Sequence, residues 1–152
     1  MNLTAKLAAR AESGRPVRVS LIGAGKFGSM FLSQVPTIPG LEVAAIADLD
    51  PDRARAACRA VGWDGARIQR TRFTDSGAEA CAHEAVEVVI EATGSPTAGI
   101  AHATAAIDGG RAVVMVNVEA DVLAGPLLAA RARERGVVYS LAYGDQPALQ
   151  AL

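Results

Sequence analysis

The stretch from Val17 to Phe31, VRVSLIGAGKFGSMF, constrains the fold more than any other part of the chain. An apolar run climbs to Ile22. Three glycines follow, Gly23, Gly25 and Gly28, in the spacing G-x-G-x-x-G. Phe27, Met30, Phe31 and Val35 then share one helical face. A strand that turns through glycine straight into a helix is the first half of a βαβ unit. Two readings of the glycines are open at this point. They form a turn that grips phosphate, or they bend the chain for packing reasons only.

The rest of the chain repeats the same alternation. Strand-like runs at Val17–Ile22, Leu41–Ala47, Val86–Ala92, Ala112–Val118 and Val137–Ala142 are separated by runs of helical period. A further short strand is expected within Ala66–Phe73, around Ile68. Asp50-Pro51, Ser95-Pro96 and Pro126 signal helix starts, and Pro36, Gly62, Gly109–Gly110 and Gly136 signal stops. Trp63, beside the Gly62 stop, reads as a packing residue. Strands that are apolar almost throughout are buried on both faces, as parallel strands between helices are. The expected fold is therefore α/β, a Rossmann-type doubly wound, mostly parallel sheet in three layers with right-handed crossovers. The opening MNLTAKLAARAESGRP adds a short amphipathic helix with Leu3, Leu7 and Ala11 on one side, and residues 1–152 read as one domain.

Composition narrows the class. With 51% apolar and 20% charged residues the chain is globular, and a net charge of −1 offers no basic excess for nucleic acid or anionic lipid. The arginines at 53, 55 and 59 and at 131, 133 and 135 read as solvated helix faces. Cys58 and Cys81 have neither C-x-x-C nor metal-ligand spacing and read as buried free thiols of a reducing compartment. His83 and His102 fall in helical runs and read as structural. There is no paired-histidine metal motif, no Walker lysine and no G-x-S-x-G elbow. Without a signal-like core or a long apolar segment, the expectation is a cytoplasmic protein with no metal, nucleic-acid or membrane partner.

Context decides between the two readings of the glycines. In a dinucleotide-binding turn the first glycine permits the tight bend, the second lets the backbone approach pyrophosphate, and the third lets helix and strand pack closely. The helix N-terminus then faces the phosphates with free N–H groups. An acidic residue about twenty positions on, at the tip of the second strand, bonds a ribose hydroxyl; Asp48 stands there. A carboxylate at Asp48 repels a 2′-phosphate and favours NAD. Arg53 and Arg55 lie close enough in sequence to leave NADP open. Ligands of open α/β sheets sit beyond the carboxyl ends of the strands. This adds Thr93, Gly94 and Ser95, then Asn117 and Glu119, then Tyr143, Asp145 and Gln146 as site candidates, with turn chemistry as the alternative for each.

Five segments together, RVSLIGAGKFGSMF, EVAAIADLDPDRA, VEVVIEATGSP, VVMVNVEADVLAGPLLA and GVVYSLAYGDQPAL, resemble the NAD(P)-binding domain of homoserine dehydrogenase-like proteins. The nearest likeness is to the branch of deoxyxylulose-phosphate reductoisomerase-like oxidoreductases. The first three segments are shared more widely, including with the glucose–fructose oxidoreductase type. The resemblance implies that Gly23, Gly25, Lys26, Phe27 and Gly28 line the pyrophosphate turn, Asp48 the adenosine ribose, and Thr93 and Gly94 the nicotinamide side. Homoserine dehydrogenases carry an Asn-Lys pair after the fifth strand. Here Asn117-Val118-Glu119-Ala120 puts Glu119 near the lysine's place, so homoserine oxidation itself is not expected. Several members of the group use NADPH, against the Asp48 argument.

The expected function is the nicotinamide-dinucleotide-binding domain of an NAD(P)-dependent oxidoreductase, moving hydride to or from a small carbonyl or hydroxyl substrate. The alternative is a non-catalytic redox-sensing module. Glu119 and Asp145 are the candidate catalytic residues. GDQPALQAL begins like a helix, with Asp145 as its cap and Pro147 in its first turn, and breaks off about one turn later. The chain therefore reads as truncated, with its substrate domain absent and the isolated domain inactive. A homo-oligomer is left open.

Overall fold

Six strands pair in parallel in the order β3-β2-β1-β4-β5-β6. They are β1 (Val17–Ile22), β2 (Leu41–Ala47), β3 (Arg72–Thr74), β4 (Val88–Glu91), β5 (Ala112–Met115) and β6 (Tyr139–Leu141). The computed structural model describes residues 2–142, so Tyr143, Asp145 and Gln146 lie outside the described residues. All carboxyl ends share one edge of the sheet. The strand order reverses between β1 and β4, and a ligand crevice opens at such a switch point.

Helices lie on both faces, giving the three-layer Rossmann-type architecture. They are α1 (Leu3–Glu12), α2 (Lys26–Gln34), α3 (Pro51–Ala60), α4 (Gly65–Arg70), α5 (Gly77–Ala82), α6 (Pro96–Asp108) and α7 (Val118–Arg135). One apolar layer joins α2 and α3 to the sheet through Leu21, Leu32, Ile46, Ala54, Cys58 and Trp63. The other sets α5, α6 and α7 on the opposite face through Val89, Ala103, Ile107, Val113, Met115 and Leu128. Trp63 is buried, with its Nε1 donating to the Leu32 carbonyl at 2.8 Å, so it is a packing residue. Burial pushes the Cys58 and Cys81 thiols up to about 11, leaving them protonated and unreactive.

The anticipated caps hold. Asp50 accepts from the Arg53 backbone N–H and Ser95 from that of Ala98, each followed by proline in the first turn. Gly136, at φ 68°, ends α7. Other boundaries differ. Ile68 sits in α4, because Asp64 caps that short helix through the Arg67 N–H at 2.7 Å; the strand follows at Arg72–Thr74. The fifth strand ends at Met115, since Asn117 caps α7 by accepting from Ala120 N–H. Pro126 therefore lies inside α7 rather than starting a helix, and it cannot donate to the Val122 carbonyl. His83 caps the end of α5 instead of lying within it.

The β1–β2 pairing has one irregularity. Val19 is opposite Val43 but Ser20 is opposite Ala45, so Ala44 is an extra residue in β2. Among the described residues, no helix is long and apolar enough to cross a membrane.

Candidate functional site

The GAGKFG turn divides its glycines between two tasks. Gly23 has φ +96°, and a Cβ there would lie 2.6 Å from the Ala92 carbonyl oxygen, so the turn presses on the end of β4. A Cβ on Gly28 would lie 2.4 Å from the Gly23 carbonyl oxygen, so α2 presses on the turn. Packing explains both positions. It does not explain Gly25, where an added Cβ would meet nothing within 4 Å. Gly25 is the N-cap of α2 and brings no side chain to the helix's first N–H groups. Those donors are left for a group outside the helix.

Asp48 follows β2 and sits beside this turn. Its buried carboxylate accepts from the Ala24 N–H at 2.8 Å through Oδ2, and from the Asp50 N–H at 3.0 Å and Arg53 Nη2 at 2.6 Å through Oδ1. Burial pushes its pKa up. The Arg53 hydrogen bond, the two backbone N–H donors and the Arg53 charge outweigh that and hold it below the ordinary carboxylate value. Arg53 is thus turned onto Asp48, not simply solvated, although its side chain stays 64% exposed. Arg55 does not join it; it lies over the Phe73 ring and pairs with Asp52.

A cleft of about 450 Å³ runs along the strand ends, lined by Gly23, Gly25, Asp48, Arg53, Thr93 and His102 among others. A larger cleft of about 950 Å³ lies between α1 and the sheet, against Leu3, Leu7, Val17, Val88, Ile90 and Val114. That one is lined mostly by apolar residues, with Lys6, Arg10, Ser13 and Arg15 among them, whereas the smaller one has the helix N-terminus, a carboxylate and hydroxyls. Of the cofactor residues expected from sequence, half line the smaller cleft.

The family comparison settles what kind of domain this is. The model of the Gfo/Idh/MocA oxidoreductase family, described by its NAD-binding Rossmann fold, matches residues 17–143. The chain belongs to this family. Inositol 2-dehydrogenase 3 of Saccharopolyspora erythraea is 33% identical over 98 residues, 64% of this chain and 26% of that protein. Two solved structures share the fold. The myo-inositol dehydrogenase of Lactobacillus casei, in complex with NAD(H) and myo-inositol, superposes with a TM-score of 0.70 at 18% identity, over 86% of this chain and 38% of that one. A homoserine dehydrogenase of Thiobacillus denitrificans gives 0.69 at 21% identity, over 83% and 29%. The chain thus spans between about a quarter and two fifths of the length of these relatives.

Within this Gfo/Idh/MocA domain the candidate residues are not all brought together. Gly23, Gly25, Asp48 and Thr93 line the cleft, while Lys26, Phe27 and Gly94 are exposed beside them in the chain and Gly28 is buried beneath. Glu119 is exposed in the first turn of α7, where it complements the helix dipole, and does not line the cleft. Two features at the cleft escaped sequence reasoning, His102 and Glu91 behind it, while the solvated-face reading of Arg53 gives way to its pairing with Asp48. One signal for Glu91 was present, an acidic residue closing the otherwise apolar VVI run of a doubly covered strand.

The open space at Gly25, the unclaimed N–H donors of α2 and the acid at the β2 tip fit a dinucleotide along this edge. Gly25 and α2 would face the phosphates and Asp48 a ribose hydroxyl, and the dinucleotide when bound supplies the hydride-carrying ring.

Proposed function

We propose that this chain is the cofactor-binding part of an NAD(P)-dependent oxidoreductase that moves hydride to or from a small carbonyl or hydroxyl substrate, and that it prefers NAD over NADP. The observation that carries the reading is Gly25, a helix cap with open space where packing demands no glycine, in the same cleft as Asp48. The preference rests on Asp48, whose carboxylate would face a 2′-phosphate with like charge.

The homoserine dehydrogenase-like branch is the finer reading. It is supported by the segments NVEADVLAGPLLA and YSLAYGDQPAL and by the homoserine dehydrogenase among its structural neighbours. With Glu119 near the place of the branch's lysine, the substrate differs from homoserine. The chain's share of its relatives' length agrees with a substrate domain lying beyond these residues.

Calorimetric titration with NAD+, NADH, NADP+ and NADPH tests this. NAD(H) is expected to bind more tightly than NADP(H). At 100 times its dissociation constant it adds about 2.7 kcal/mol of stability. Failure of all four to bind overturns the reading.

A further inference from the structure

Glu91 closes β4 with a fully buried carboxylate. Its Oε1 accepts from Thr93 Oγ1 at 2.6 Å and lies 3.3 Å from His102 Nδ1. Its Oε2 is buried with no hydrogen-bond partner among the described residues. A buried carboxylate satisfied on one side only works against folding, and an apolar side chain of similar volume would suit the sheet better. Stability therefore does not account for an acid here.

Thr93 supplies an account. The Thr93 hydroxyl donates to Glu91 Oε1 and turns its lone pairs the other way. They meet the Ser95 N–H at 3.3 Å and Asn117 Nδ2 at 3.5 Å. Asn117 Nδ2 also donates to the Ser95 carbonyl at 2.8 Å, while its Oδ1 caps α7. The exposed segment 93–95 is thereby held from below by one buried acid and from the side by α7. The acid's other neighbour is fixed as well: the His102 ring packs where Gly77 has no side chain, and a Cβ there would lie 2.2 Å from Nε2.

Asp48 and segment 93–95 lie on opposite sides of the switch point, after β2 and after β4. With a ribose on Asp48 and the phosphates at Gly25, the far end of a dinucleotide falls over β4. We propose that Glu91 is a positioning residue for that nicotinamide end: it orients the Thr93 hydroxyl, and through it segment 93–95, without touching the dinucleotide. This rests on the dinucleotide reading above.

The test titrates the full chain with NADH and with ADP-ribose, which keeps the adenosine and both phosphates but lacks the nicotinamide. Thr93→Val weakens NADH binding about tenfold and changes ADP-ribose binding less than about twofold. Thr93→Ser keeps the hydroxyl and binds both as the parent does. Glu91→Leu shows the same NADH-selective loss with no fall in unfolding temperature. Equal loss of both ligands, or Thr93→Val binding NADH like the parent, overturns the proposal. So does a lower unfolding temperature in Glu91→Leu with an unchanged NADH to ADP-ribose ratio. If Glu91→Leu does not fold, the two Thr93 substitutions decide the matter by the same criteria. A parent chain that binds neither ligand overturns the dinucleotide reading itself, a separate outcome.

Discussion

Arg53 reaches back from the first turn of α3 to Asp48 at the tip of β2, Nη2 to Oδ1 at 2.6 Å. The carboxylate is buried and the guanidinium is largely in solvent, so one end of the pair is fixed and the other can swing. This hinge-like asymmetry bears on cofactor choice. On the proposed dinucleotide reading, with Asp48 ionised Arg53 is engaged and the site would present a carboxylate to the ribose. With the carboxylate gone, Arg53 is free to meet a 2′-phosphate.

Asp48→Ala is therefore expected to shift the NADP-to-NAD affinity ratio by about tenfold or more toward NADP, the worth of one charge-assisted hydrogen bond. Asp48→Ala combined with Arg53→Ala should lose most of that shift. Dissociation constants for the four nicotinamide dinucleotides decide it. An unchanged ratio in the single variant removes Asp48 as the discriminator.

Acid should expose the same carboxylate. Asp48 is held below its unfolded value by Arg53 and the backbone N–H groups of Asp50 and Ala24, against the upward push of burial. Its stabilisation is complete above the unfolded value of about 3.9 and is lost as pH falls through the lower, folded one. Asp48→Asn has no such proton to take up. Chemical denaturation at about pH 6 and about pH 2.5 should show the parent chain losing more stability than Asp48→Asn. Parallel losses would contradict the assignment.

The glycines separate by what they do. Gly28→Ala drives a Cβ to 2.4 Å from a backbone oxygen and should destabilise the chain by about 1–3 kcal/mol. Gly25→Ala meets open space, so its effect on stability stays within about 1 kcal/mol, the cost of a poorer helix cap. Yet Gly25→Ala is expected to weaken NADH binding by about tenfold or more, because the methyl occupies the approach to the phosphates. Thermal melts paired with titrations read both effects. Normal NADH affinity in Gly25→Ala would return the motif to a packing bend.

Pro126 offers a gain. It is exposed inside α7, and it leaves the Val122 carbonyl without its helical donor. Pro126→Ala restores that N–H and should stabilise the chain by on the order of 2 kcal/mol, after allowing for the more flexible unfolded state. A melting temperature that stays the same or falls would show that the helix needs proline's fixed geometry there.

What could be read from sequence was what depends on neighbours in the chain. The strand into Ile22, the glycine spacing and Asp48 are local signals, and the fold assembled them as expected. Ile68 misled because a lone apolar residue has no period; the Asp64 cap three residues before Arg67 was the better signal. Pro126 misled for a related reason. Proline's preference for a first turn is statistical, and the true start at Asn117 carried its own capping side chain. Glu91 and His102 are eleven residues apart on different elements, and Gly77 makes room for the imidazole from a third. Only packing brings such groups together.

The extra residue in β2 bears on how such sites are found at all. Ahead of Ala44, β1 and β2 are offset by 24 residues; beyond it, by 25. Held to the first offset throughout, the acid would stand about 3.3 Å further along, one strand step, whereas hydrogen bonds vary by only a few tenths of an ångström. Ala24 and Asp48 meet at 2.8 Å because the strand absorbs that step. Counting residues from a glycine turn to its acid measures thread, not distance. Two chains with the same count can put the carboxylate in different places, and two with different counts can put it in the same one.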